Sequence, residues 1–224
     1  MQTTKELIHL LDLKQQSETV FQGTSSFMGS PNVFGGQVVA QALNAATRTV
    51  PVERICHSLH AYFILPGNLS LPIEFQVQKI RDGGSFTTRF IIAKQNDVPI
   101  FVMAASFQKR EEGYEHQIQM PDVPAPETLA HWIDIDAEKY PDMANLMNAY
   151  LSIDRPLEMR SCRPRISSHE AMIPHNQVWF RFKELPETLD WPTIQQLIAY
   201  ASDYNILTTA LRPHSEKANI VNTQ

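Results

Sequence analysis

Asp203 is the residue of this 224-residue sequence best placed to do chemistry, because it is a carboxylate in apolar company. It stands in IAYASDYNIL, with Ala199 and Tyr200 one helical turn before it and Ile206 and Leu207 one turn after. No Lys or Arg lies within a turn, and Asp is a mediocre helix former. A carboxylate so surrounded can work as a general base if something polar, such as a bound water, satisfies it. The alternative is an aspartate on the solvated edge of a helix. Gly35-Gly36 opens another helix, where backbone N–H groups can meet an anion or a developing oxyanion. The alternative there is a pair of glycines that only makes a turn. Gln37 and Gln41 either line a polar pocket or form the wet side of that helix. His57 and His60 fall on opposite faces of one strand, so they cannot share a metal site or a dyad. His57 lies on the apolar face and reads as a packed, hydrogen-bonded histidine, with a role at a site as the alternative. No GxSxG, HExxH, CxxC or phosphate-loop pattern occurs, which removes several enzyme classes.

The elements that must position these groups begin with VFGGQVVAQALNAATR, Val33 to Arg48. Val38, Val39, Ala42, Ala45 and Ala46 recur at helical spacing, while Gln37, Gln41, Asn44 and Arg48 make a polar stripe. An apolar face of Val and Ala lets a helix lie close to its neighbours. A short helix over Thr3–Leu13 and a strand over Thr19–Ser25 precede it. Strand-like runs follow at Ile55–Leu65, Ile73–Ile80, Ser85–Gln95 and Val98–Lys109. Pro66-Gly67, Asp82-Gly83-Gly84 and Asn96-Asp97 separate them as turn signals, which implies antiparallel pairing. In the first run the odd positions, His57, Leu59, Ala61, Phe63 and Leu65, should share one mostly apolar face. The expected picture is a central helix with a curved antiparallel sheet over it.

MPDVPAPE, Met120 to Glu127, is a proline-rich break, and Leu129–Tyr150 is weakly helical with Pro141 inside it. Leu157–Arg163 and Gln177–Leu185 read as strands. Asp190 then caps a helix running from about Thr193 to Thr209, with Pro192 in its first turn and an apolar face of Ile194, Leu197, Ile198 and Ala201. This second helix repeats the role of the first. The first is followed by a meander; after the second only LRPHSEKANIVNTQ remains.

Composition bounds the function. Hydrophobic residues are 43% and the formal net charge is −5. No basic cluster suits nucleic acid, and no apolar run is long enough to span a membrane. The amphipathic start MQTTKELIHLLDLK is not a signal peptide. Cys56 and Cys162 are far apart and read as reduced thiols of a cytoplasmic protein.

The chain resembles the acyl-CoA thioesterase II family, the double hot-dog thioesterases. The resemblance is carried by VFGGQVVAQAL (Val33–Leu43), HSLHAYFILPG (His57–Gly67), RDGGSFTTR (Arg81–Arg89) and PIFVMAASFQ (Pro99–Gln108). DRPLEMR (Asp154–Arg160), QVWFR (Gln177–Arg181) and YASDYN (Tyr200–Asn205) follow in the same order. The resemblance implies two units, each a helix wrapped by an antiparallel sheet, packed as a pseudo-dimer. It implies hydrolysis of fatty acyl-CoA to free acid and CoA. Asp203 matches the catalytic aspartate, which in the family acts with a Thr or Ser and a Gln on strands expected here beyond residue 224.

The expected architecture is therefore α+β, a double hot-dog whose second unit lacks its C-terminal strands. Residues 1–120 form the first unit, 121–150 a linker with an irregular helical segment, and 151–224 the second unit. Asp203 is the expected catalytic residue, with Gly35, Gly36, Gln37 and His57 as substrate-binding residues. No metal and no other cofactor is expected. The partners expected are an acyl-CoA substrate and further copies of the chain in a homo-oligomer, with no nucleic acid and no membrane span. A non-catalytic acyl-CoA-binding or regulatory module, or an inactive fragment, is the alternative.

Overall fold

The computed structural model describes residues 1–129, 154–163 and 172–214. Its contacts divide the chain into a larger unit, Lys5–Tyr114 with Pro186–Asp203, and a smaller one, Met1–Thr4, Glu115–Leu185 and Tyr204–Gln224. The larger unit holds six strands: β1 Lys14–Gln15, β2 Val20–Gly23, β3 Arg54–Phe63, β4 Ile73–Asp82, β5 Phe86–Gln95 and β6 Val98–Lys109. They form one antiparallel sheet in the order β1-β2-β4-β5-β6-β3. Its helices are α1 (Thr4–Leu11), α2 (Gly35–Thr47) and α3 (Trp191–Ala201).

The meander follows from its turns and its alternation. Asn96 and Asp97 adopt φ 49° and 65°, the left-handed pair that a two-residue hairpin requires and that Asn and Asp tolerate. Along β5 the buried residues are Thr87, Arg89, Ile91, Ala93 and Gln95, every second position. Two of these are polar and long. Arg89 is held by the Thr49 hydroxyl and carbonyl, the Arg81 and Thr88 carbonyls and the Asp82 carboxylate. Gln95 bonds the backbone of Asn68 and the Leu71 carbonyl.

Helix α2 packs against β2 to β6, and Val38, Val39, Ala42 and Ala46 are buried as their spacing predicts. Its polar stripe departs from one reading. Gln37 and Gln41 are both fully buried, so they are not a wet side. The end of α1 and the segment between it and the helix supply their partners. Gln41 Nε2 donates to the carbonyls of Leu10 (2.9 Å) and Thr24 (3.0 Å). Gln37 Nε2 donates to Thr24 O and to Gln41 Oε1, and its Oε1 accepts from Ser26 N–H.

Two further expectations need correction. In β3 the register slips between Cys56 and Ser58, a bulge at His57. Among the described residues β3 is also an edge strand, bonded only to β6. Its expected apolar face is also left open: His57, Leu59, Phe63 and Leu65 are exposed. The helix expected over Thr193–Thr209 is two helices. Asp190 does cap α3, accepting from Thr193 N–H at 3.0 Å, but α3 ends at Ala201. Asn205 takes φ 65°, and the short α4 (Ile206–Leu211) follows. The buried side of α3 is Gln196, Leu197, Ala199, Tyr200 and Ala201, with Ile198 exposed. The reason is its contact with α2: Gln196 accepts from Asn44 at 3.2 Å, and Tyr200 meets Phe34 edge-on.

That contact also groups residues differently from the sequence. α3, expected in a second unit over 151–224, is compact with the residues of the first. In the smaller unit β7 (Leu157–Ser161) pairs antiparallel with β8 (Val178–Phe182). Glu158 there binds both Arg160 and Arg181, and the two arginines hold its carboxyl below its usual range. The irregular segment expected over Leu129–Tyr150 lies, beyond its first residue, outside the described residues.

Candidate active site

The site forms where the end of α3 meets the start of α2. Tyr200 fixes the meeting. It is fully buried, its ring lies edge-on to Phe34 at 5.2 Å, and its hydroxyl faces Met28 Sδ at 3.7 Å. Gln195 adds a bond from its side-chain amide to the Cys56 carbonyl on β3. The approach of the two helices requires glycine at the entry of α2. A Cβ on Gly36 would lie 2.3 Å from the Tyr200 carbonyl oxygen, a clash with backbone. A Cβ on Gly35 would lie 2.7 Å from Asp203 Oδ2 and 2.8 Å from Phe63 Cζ.

Asp203 stands in the turn after α3 rather than inside a helix. Ser202 closes α3 through its N–H to the Ile198 carbonyl and its hydroxyl to the Ala199 carbonyl. The next side chain is thereby released from the helix surface. Asp203 Oδ2 accepts from Gly36 N–H at 2.9 Å, a bond to the positive end of α2. Among the described residues Oδ1 has no hydrogen-bond partner. Burial pushes the Asp203 carboxyl above its usual range, and the Gly36 bond opposes that shift. A half-buried carboxylate with raised basicity and one unengaged oxygen can take a proton from water.

The structure thus brings Asp203, Gly35 and Gly36 together and adds Phe63 and Tyr200, which sequence reasoning missed. The sequence signal for Tyr200 was the block YASDYN, and for Phe63 the block HSLHAYFILPG, where it sits among the apolar residues of one strand face. Gln37, next to Gly36 in sequence, uses its side-chain amide on Thr24, Ser26 and Gln41. His57 is exposed; its Nε2 lies 2.9 Å from Ser106 Oγ and its ring lies edge-on to Phe86. These contacts are on β5 and β6, away from the Asp203 cluster. Among the described residues no three His, Cys, Asp or Glu side chains gather as a metal site. None of their helices is long and apolar enough to cross a membrane.

Comparison with known proteins gives these residues a context. A family profile described as the acyl-CoA thioesterase N-terminal domain matches residues 24–108. The chain is 39% identical over 212 residues to acyl-CoA thioesterase 2 of Haemophilus influenzae, covering 94% of this chain and 73% of that one. It is 36% identical over 216 residues to human acyl-coenzyme A thioesterase 8, covering 92% and 67%. Among solved structures, the acyl-CoA thioesterase II TesB2 of Mycobacterium marinum superposes with a TM-score of 0.71 at 32% identity. The match covers 94% of this chain and 71% of that one.

Proposed function

The chain belongs to the acyl-CoA thioesterase family, and from that premise we propose a hydrolytic site centred on Asp203. The reaction is hydrolysis of acyl-CoA thioesters. In the proposed mechanism a water bound at Oδ1 of Asp203 attacks the thioester carbonyl carbon while the carboxylate takes its proton. A tetrahedral oxyanion forms and collapses. The carbon–sulfur bond breaks, and the thiolate leaves as CoA after taking up the proton, so that one water and one thioester give one acid and one thiol. Fatty acyl-CoA is the proposed substrate class, following the resemblance in the sequence blocks.

The supporting observation is the bond from Gly36 N–H to Asp203 Oδ2. It ties one carboxylate oxygen to the start of α2 and leaves the other for water. It also divides the roles proposed for the two glycines. Gly36 N–H is engaged by the carboxylate. Gly35 N–H makes no hydrogen bond to the described residues, and is the donor available for a developing oxyanion. Gln37 and His57 stay in the proposal only as supports of the surrounding framework.

Asp203→Asn tests this reading. The amide still accepts from Gly36 N–H but cannot take a proton from water. Thiol release from acyl-CoA should fall by about 10²–10⁴-fold with binding of CoA unchanged; near-parental turnover would reject the base. A homo-oligomeric state belongs to the same proposal, supported by the edge position of β3 among the described residues, with Leu59 and Tyr62 exposed. Sedimentation equilibrium tests it. A cytoplasmic location, supported by the free thiols of Cys56 and Cys162, is tested by fractionation.

A further inference from the structure

We propose that Phe63 is a substrate contact that sets which acyl groups fit beside the thioester carbonyl. The proposal rests on Asp203 as the base, and it concerns a residue to which that reading gives no role. Its first ground is position. Asp203 Oδ2 and Phe63 Cζ both lie within about 3 Å of one point above the Gly35 Cα. The ring edge and the carboxylate thus flank the same bare glycine. Its second ground is support. The ring packs on Phe101 at 5.2 Å, Phe101 is buried, and the β3–β6 register pairs the two residues directly. Its third ground is exposure. With that backing Phe63 is still 53% exposed, an apolar residue beside a polar centre.

The reach of the chemistry places the acyl group against it. Water held by the carboxylate at a hydrogen-bond length of about 2.8 Å must approach the carbonyl carbon to about 3–3.5 Å. The carbonyl carbon then stands roughly 5–6 Å from the carboxylate, and Phe63 Cζ, 2.8 Å from the point that lies 2.7 Å from Asp203 Oδ2, is within that reach. The atoms brought against the ring are the first carbons of the acyl chain. Phe63 therefore favours a straight chain at the carbon next to the carbonyl and resists a methyl branch there. The tail of the chain, farther out, is not governed by it.

The test uses the full 224-residue chain and two non-hydrolysable CoA analogues, each with a methylene between sulfur and carbonyl. One carries a straight acyl chain, the other the same chain with a methyl branch next to the carbonyl. Calorimetry gives both Kd values for the parent, Phe63→Leu and Phe63→Ala. One methyl group in a shaped pocket is worth about tenfold or more. The parent should thus prefer the straight analogue by about tenfold, and Phe63→Ala should reduce that ratio at least fivefold, with Phe63→Leu between them. CoA alone should bind all three equally. A ratio that changes by less than fivefold in Phe63→Ala, or a parent that binds neither analogue, overturns the proposal. Each ratio is taken on one preparation, so a loss of folded fraction cancels. Asp203→Asn should keep the parent's ratio. If that variant retained turnover, the base assignment would fall, and the binding ratio would still judge Phe63 separately.

Discussion

Replacing Gly36 by alanine sets two large effects against each other. Alanine is the better helix residue by about 1 kcal/mol, so an unopposed substitution would raise stability. Here the new Cβ would sit 2.3 Å from the Tyr200 carbonyl oxygen and 2.5 Å from the Phe34 ring. Opening the first contact even to 3.0 Å, still tight, needs a shift of about 0.7 Å between α2 and α3. Tyr200 is fully buried, so the movement must be taken up by packed neighbours, at about 1–3 kcal/mol. The net effect should be a loss of up to about 2 kcal/mol, seen as a lower Tm. The same shift carries the 2.9 Å bond from Gly36 N–H to Asp203 to the limit of hydrogen bonding. Asp203 then loses the one contact that restrains its burial-raised pKa. The acid limb of the pH–rate profile should move to higher pH and kcat should fall. Gly35→Ala is the control, because its Cβ would meet only the ends of two side chains. It should lower turnover with little change in Tm. If Gly36→Ala melts higher than the parent and hydrolyses acyl-CoA at the same rate and pH, the close helix approach does not position Asp203.

Asp203→Asn should melt above the parent at pH 7. Burial raises the folded pKa, so the folded state binds protons more tightly than the unfolded one, and stability falls as pH rises through that window. The advantage of the amide should shrink as pH falls below the ordinary aspartate range, and a constant difference at all pH values would contradict the cause given. His57→Gln should change Tm by no more than the value of one exposed hydrogen bond, about 1 kcal/mol, and leave turnover intact, as paired melting and thiol-release assays would reveal. Gln37→Leu leaves Ser26 N–H and one bond to Thr24 O unmade, which should destabilise by about 2 kcal/mol or more in urea unfolding.

The strands were legible because β4, β5 and β6 alternate cleanly and are separated by turn residues whose backbone needs are specific. α2 was legible from Val and Ala at helical spacing. The environment of its polar stripe was not, because burial of Gln37 and Gln41 depends on a segment that returns across them. Nothing in 3.6-residue periodicity says whether an amide faces water or a carbonyl. Asp203 was found for its apolar company and placed wrongly within a helix, since apolar spacing continues through Ile206 and Leu207 while the left-handed Asn205 interrupts the backbone. Phe63 was placed on one mostly apolar face with His57 because strict alternation was carried through β3. The bulge at His57 and the edge position defeat that rule.

The sheet order also has a meaning for synthesis. β2 comes before α2 in the chain but pairs with β4 after it, Val20 meeting Gln76 and Gly23 meeting Ile73. The adjacent hairpins β4–β5 and β5–β6 close over short turns, and such local pairings form sooner than distant ones. A ribosome must therefore release β4 before the segment ahead of α2 can be fastened into the sheet. Until then Leu10 and Thr24 offer their carbonyls to water, and the amides of Gln37 and Gln41 do the same. A chaperone that binds nascent chain in this interval would meet α2 with its Val and Ala side uncovered. A pause in translation just before Ile73 would lengthen that exposure, whereas a pause after Lys109, with the whole sheet emerged, would not.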